Sequence, residues 1–298
     1  MEQYSNLVSK ILNNGVKETG RNGVTCSVFG ETMRFSLETL PMLTTKKISF
    51  HNILEELLWF ISGKTDNKIL NDKGVHIWDA NASQDFLSSR GLSYSENDLG
   101  PIYGHQWRHF NAPYTDCHTD YTEKGVDQLQ NIIDALKDPV KRFSRRLVLS
   151  SWNPCQLEEM ALPPCHIMLQ FNVVKGGILD LKHGSELIEP DRLSCILYQR
   201  SADVGLGMPY NITSYSILTK LIAHHCGLVP DEFIYMVGNA HIYEEHIEGL
   251  KMQNEREHHA PPLLLISNHY ENINDYKASD FQLLGYYPHP VIKLKMIA

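Results

Sequence analysis

Apolar positions along the chain fall into stretches of two periods. In residues 51–62, Ile53, Leu54, Leu57, Leu58 and Ile61 recur at the spacing of one helix face, and Trp59 and Phe60 widen that arc, which predicts a mostly buried helix. Residues 127–137 predict a second helix stopped by Pro139, and residues 212–226 a third stopped by Gly227. Runs at 146–151, 166–174 and 193–199, with weaker ones at 25–29 and 233–237, predict strands. The two kinds of element mix without a regular βαβ rhythm, so the expected class is α+β. No repeat, low-complexity tract or linker divides the 298 residues, and a single domain over 1–298 is expected. The polar stretch at about 175–191 reads as a long hairpin connection between two strands.

Composition narrows the function classes. No apolar run approaches the ~20 residues needed to span a bilayer, and the N-terminus lacks the apolar stretch of a secretory signal, so a cytoplasmic protein is expected. Six cysteines, never spaced Cys-x-x-Cys, suggest free thiols in a reducing compartment and no metal. The paired histidines 224/225 and 258/259 lack a metal-ligand pattern as well. A net charge of -8 argues against a broad nucleic-acid surface as the main purpose, RNA binding is not indicated, and an anionic ligand should be small.

Candidate chemistry gathers in a few runs. In MALPPCHIMLQF two prolines fix the backbone before Cys165, which therefore sits at the mouth of a strand. A lone cysteine is more often a small buried apolar residue than a nucleophile. The neighbouring His166 cannot easily share a proton with Cys165, because successive strand residues point to opposite faces. An active thiol would need arginines to favour its charged form. These are available at Arg145, Arg146 and Arg200, each of which alone is more often a solvated or paired side chain. In YQRSADVGLGMPYN, however, Gln199, Arg200, Ser201 and Asp203 form a dense polar set suited to a phosphate and a base. Asn211 reads either as the N-cap of the helix after it or as a reader of a base edge, since a carboxamide donates to one carbonyl and accepts from the neighbouring ring N–H of uracil. Glu56, within the apolar helix, is either a proton-transfer group with a raised pKa or an edge residue reaching water, and Glu55 competes for the same role. His241 and Tyr243 share a face if extended and could grip a sugar hydroxyl.

Taken in order, EELLWFISGKT, HIWD, DLGPIYGHQWR, RRLVLSSWNP, MALPPCH, YQRSADVGLGMPYNITSYS, GNAHIY and DFQLLGYYPHPVIKLKMIA resemble thymidylate synthase over nearly the whole chain. The resemblance implies a mixed, twisted β-sheet covered by helices and a homodimer formed across that sheet. It also implies methylation of dUMP to dTMP, with 5,10-methylenetetrahydrofolate supplying both the carbon and the hydride, dihydrofolate as co-product, and no metal. Cys165 would add to carbon 6 of the uracil ring, with Glu56, Tyr103 and His166 forming the polar network around the base and Asn211 selecting uracil. Arg21, Arg200 and Ser201 would hold the phosphate, joined by Arg145 and Arg146 from the other subunit, and His241 with Tyr243 would hold the ribose. Asp203 would bond the pterin of the folate, walled by Ile77, Trp78, Leu162, Leu206, Gly207 and Tyr210. Lys46 would meet the glutamyl tail, and the C-terminal tail ending at Ala298 would close over the folate. The chain departs from the usual pattern in its extended hairpin, in Asn239 where Asp is usual, in Tyr210 for Phe and Asn81 for Trp, and in the ending MIA. A deoxyuridylate hydroxymethylase would share the nucleophile, but Trp78 and a competent tail favour the synthase.

Overall fold

The computed structural model describes residues 1–20, 23–181 and 185–297. Its strands are β1 Val16–Gly20, β2 Gly23–Ser36, β3 Val148–Ser150, β4 His166–Val174, β5 Ile178–Leu181, β6 Ser185–Ile188, β7 Arg192–Asp203, β8 Val229–Tyr243, β9 Leu263–Ile266 and β10 Phe281–Leu284. Its helices are α1 Glu2–Asn14, α2 Phe50–Ile61, α3 Lys68–Asn71, α4 Asp79–Ala82, α5 Gln84–Ser89, α6 Tyr103–His109, α7 Gln128–Lys137, α8 Gly207–His225 and α9 Ile247–Asn254.

Six strands form one mixed sheet in the order β1-β2-β8-β7-β4-β3, so the α+β class is what the chain adopts. Only β7 and β8 run parallel among the described pairs, and α8 makes the crossover that a parallel pair requires. Strands β5 and β6 pair antiparallel with each other in the stretch read as a hairpin connection. In β4 the pleat turns Leu169, Phe171 and Val173 inward while Met168 and Val174 stay exposed. A register shift between His166 and Met168 interrupts that alternation. His166 is thereby buried beside the strand's apolar face instead of turning away from it.

Helix α2 begins where Ser49 accepts a bond from the Asn52 amide, and it is apolar round almost its whole circumference. Helix α8 is buried over most of its length, through Ile212, Ile217, Leu218, Leu221 and Ile222 among others, because it is wedged between the sheet and α2. Its start differs from the sequence reading. Pro209 fits the first turn, where no amide hydrogen is needed, and α8 accordingly begins at Gly207. Asn211 therefore lies inside the helix, and its reading as an N-cap is overturned.

The sheet face away from these helices keeps a cross-strand apolar row in contact with solvent. Met168 of β4 pairs with Tyr198 of β7, and Tyr198 with Met236 of β8, and both methionines are exposed.

Candidate active site

Cys165 stands where the two prolines hand the chain into β4. Its amide donates to the Tyr103 hydroxyl at 2.8 Å, and its carbonyl accepts from the Arg200 amide at 2.8 Å, so both neighbours fix the backbone beneath the thiol. The Arg200 side chain donates from Nε to the Pro164 carbonyl at 2.8 Å and from Nη2 to the Pro163 carbonyl at 3.0 Å. That clamp leaves Nη2 at 3.6 Å from the Cys165 sulfur, with the Trp152 ring 5.8 Å from the guanidinium carbon. Burial pushes the Cys165 thiol up, and the Arg200 guanidinium pulls the other way. One arginine alone therefore does not hold a thiolate in the free chain.

Behind the thiol the polar groups form a directed network. The His166 ring stacks on Tyr103 with centroids 4.3 Å apart, and its Nδ1 lies 2.6 Å from the Tyr215 hydroxyl. Burial, reinforced by the Arg200 charge, lowers the His166 pKa to about 3, so the ring is neutral at physiological pH. Asn211 Nδ2 lies 3.4 Å from His166 Nε2, and Asn211 Oδ1 accepts from Gln199 Nε2 at 3.1 Å. Gln199 is itself oriented, because its Oε1 accepts from the Tyr235 hydroxyl at 2.8 Å and its Nε2 also donates to the Ser201 carbonyl at 2.9 Å. The chain Tyr235, Gln199, Asn211 thus fixes which way the carboxamide of Asn211 points. Tyr215 lies within the run at 198–216 without being singled out there, Tyr235 lies in none of the runs that carry the resemblance, and the role of each becomes recognisable only through these contacts.

The two glutamates of α2 separate by helix phase. Glu55 is buried in an ion pair with Lys73 at 2.6 Å. Glu56 turns to the cleft and accepts from Trp78 Nε1 at 2.7 Å, and burial raises its pKa to about 7, with the Trp78 bond opposing that rise. Trp78 packs on Trp59 and, edge-on, on Tyr103, which joins Glu56 to the wall around Cys165.

A second group lies where β7 runs into α8. Asp203 Oδ1 accepts from the Gly205 and Leu206 amides at 2.8 and 3.3 Å. A Cβ on Gly205 would come within 2.6 Å of His246 Nδ1, so the close turn requires glycine. His246 is fully buried, 3.5 Å from Asp203, and its Nε2 reaches the Lys295 carbonyl at 2.8 Å, tying this turn to the C-terminal segment. Lys46, which the resemblance sets against the glutamyl tail, is buried and donates to the Gly205 carbonyl. Burial, opposed by Asp203, lowers its pKa to about 8. Tyr210 accepts from the Ser49 amide at 3.3 Å, while Ile77 and Leu162 pack partly buried against the core. Leu206 and Gly207 are partly buried at the start of α8.

On β8, His241 Nδ1 lies 2.9 Å from Asn239 Oδ1, and the Tyr243 ring stands edge-on to His241 at 5.2 Å. Arg145 and Arg146 are exposed ahead of β3, and neither guanidinium makes a hydrogen bond or ion pair to the described residues. Arg21 and Ala298 lie outside the described residues. No helix among the described residues is long and apolar enough to cross a membrane.

This assembly presents a thiol beside a clamped arginine, a neutral histidine, a fixed carboxamide and a carboxyl with a raised pKa, all at one sheet end. The family profile of thymidylate synthase matches residues 2–298. Human thymidylate synthase is 50% identical over 297 residues, covering 99% of this chain and 90% of its own, and that of equine herpesvirus 2 is 50% identical with 97% of its length covered. A bifunctional dihydrofolate reductase-thymidylate synthase of Zea mays is 48% identical over 99% of this chain, which spans 54% of that relative's length. On the match across the whole chain and the identity to these relatives, this chain belongs to the thymidylate synthase family.

Proposed function

We propose that the chain methylates dUMP at carbon 5 to give dTMP, taking the one-carbon unit and a hydride from 5,10-methylenetetrahydrofolate and releasing dihydrofolate. The observation that carries this reading is the placement of Cys165 3.6 Å from Arg200, with the oriented Asn211 3.4 Å from the ring of the next residue, His166. A fixed carboxamide matches the donor and acceptor edge of uracil, and the Cys165 thiol is the group that forms a bond to carbon 6. As that bond forms, the electron pair of the ring double bond moves toward carbon 5 and its neighbouring carbonyl, and carbon 5 becomes the nucleophile. Bound dUMP phosphate would draw Arg200 with Ser201, Arg21 and a partner subunit's arginines around the thiol, and their combined charge favours the thiolate that one arginine does not secure. Neutral His166 with Tyr103 holds the polar surroundings of the ring, and Glu56, with its raised pKa, exchanges protons there through water. Asp203, with Trp78, Ile77, Leu162, Leu206, Gly207 and Tyr210, forms the folate side of the cleft, and His241 with Tyr243 the ribose side.

The working unit is a homodimer. The row of exposed Met168, half-buried Tyr198 and exposed Met236 supports an apolar sheet-to-sheet contact, and the guanidinium groups of Arg145 and Arg146, exposed and unpaired among the described residues, support their reach into a partner's site.

The test is to incubate purified protein with dUMP and 5,10-methylenetetrahydrofolate, follow dihydrofolate by absorbance and identify the nucleotide by mass. Equal amounts of dTMP and dihydrofolate support the proposal, whereas hydroxymethyl-dUMP with tetrahydrofolate overturns it in favour of hydration of the same intermediate.

A further inference from the structure

Away from this cleft, a carboxylate, a thiol and an imidazole meet beside a second cavity. The donor atoms of Asp66, Cys117 and His118 all lie within 4.8 Å of one another. Two of the three are anchored. Asp66 is buried, its backbone bridges to Asp98, its carbonyl accepts from Trp59 Nε1 at 3.1 Å, and one carboxylate oxygen accepts from the Lys68 amide at 2.8 Å. Cys117 donates its amide to Asp98 Oδ2 at 3.0 Å, and Asp98 Oδ1 is held by the Tyr114 hydroxyl at 2.6 Å and the Gly100 amide at 2.9 Å. His118 is exposed, with both ring nitrogens 3.8 to 3.9 Å from the Cys117 sulfur, so it can turn without disturbing the core.

Charge points the same way. Asp66, Asp98 and Asp116 all act on Cys117, and among the described residues none of the three pairs with a lysine or arginine within 4 Å. The basic groups on the wall of the adjoining cavity of about 500 Å³ are directed elsewhere. Arg108 pairs with Asp127 at 2.9 Å, and Lys64 and Lys124 act on Asp120. The donors therefore face a concentration of negative charge that no lysine or arginine among the described residues pairs with.

We infer that Asp66, Cys117 and His118 bind a divalent cation of the zinc class, with a remaining coordination position open to the cavity. A mixed sulfur, nitrogen and oxygen donor set suits a borderline-soft ion and disfavours calcium or magnesium, which take oxygen donors. Tetrahedral bonds of ~2.0 to 2.3 Å place donor atoms roughly 3.3 to 3.8 Å apart, so the observed spread requires a contraction of about 1 Å. The mobile partner is His118. On binding, the thiol S–H bond breaks, the proton passes to solvent and a sulfur-metal bond forms, with no change of oxidation state. Asp98 orients the Cys117 backbone from behind. The ion would join the loop carrying Cys117 to the turn after α2 and would stabilise the chain in proportion to its occupancy. No Cys-x-x-Cys spacing signals such a site, because the carboxylate comes from another part of the chain.

The test uses the full chain, stripped with a chelator and titrated with Zn²⁺ by calorimetry and with Co²⁺ by absorbance. One ion per chain is expected, with a thiolate-to-cobalt charge-transfer band and a rise in melting temperature. Cys117→Ser should abolish the band and weaken Zn²⁺ binding by more than ~100-fold, and Asp98→Asn, which removes one nearby negative charge and weakens the hold on the Cys117 amide, should weaken it ~10- to 100-fold. Should Cys117→Ser misfold, Asp66→Asn and His118→Ala read the same affinity with the thiol intact. An unchanged band in Cys117→Ser, or Zn²⁺ affinity indifferent to all three ligand variants, would overturn the assignment.

Discussion

Replacing Glu56 by glutamine isolates the cost of holding a carboxyl in the wall of the cleft. Burial raises the Glu56 pKa from the ordinary 4.5 to about 7. At about 1.4 kcal/mol per tenfold change, keeping that group ionised in the folded chain costs at most on the order of 3 kcal/mol. The figure is an upper one because the residue as a whole is only partly buried and part of the cleft is open to water. The sign follows from linkage. The folded chain holds a proton that the unfolded chain has released between pH 4.5 and about 7, so stability falls as pH rises through that window. Glutamine keeps an oxygen to accept the 2.7 Å bond from Trp78 and carries no charge. Glu56→Gln should therefore match the wild type in urea unfolding near pH 4.5 and exceed it by up to ~3 kcal/mol at pH 8, while turnover falls ~10²- to 10⁴-fold. Unfolding midpoints at fixed protein concentration from pH 4.5 to 8 read the first effect, and dihydrofolate formation reads the second. A stability difference that stays flat across this range would refute the reasoning, whatever the activity does.

Other expectations follow from single contacts. Asn211→Asp replaces a donor with an acceptor beside His166 Nε2, so kcat/KM for dUMP should fall ~10- to 100-fold while dCMP binding improves, both measured by competition. Burial opposes a rise in the His246 pKa, but the bond to Asp203 and then the Lys295 carbonyl outweigh it. The stabilisation from that imidazolium is full below the ordinary value near 6.5 and is lost as pH rises through the raised one. The melting temperature of wild type should accordingly exceed that of His246→Gln most at pH 5.5 and least at pH 9, and a constant gap would count against the ion pair. Cys165→Ser and the double variant Arg145→Ala with Arg146→Ala should each be inactive, whereas mixed subunits should regain turnover from one competent site per heterodimer. Failure to regain it after subunit exchange, verified by mass, would exclude donation of the arginines across the interface.

The period of apolar residues made α2 and α7 legible from the chain, because the face each helix buries is written into local spacing. The proline pair before Cys165 and the dense polar run at 199–203 likewise declared themselves locally, and the ordered motifs made the family recognisable. Local spacing could not say which of Glu55 and Glu56 faced the cleft. Consecutive helix residues differ by about 100° in direction, and only the positions of Lys73 and Trp78, which come from later segments, separate them. Nor could it show that α8 starts at Gly207, since Pro209 reads equally as a boundary or as part of a first turn. Lys46 carries no local mark of turning inward to the Gly205 carbonyl. The link from Asp203 through His246 to Lys295 joins three distant segments, and the group Asp66, Cys117 and His118 joins two. Local sequence settles periodicity, stiffness and chemical inventory, whereas the partner, burial and protonation of each group depend on segments that meet only when the sheet and helices pack.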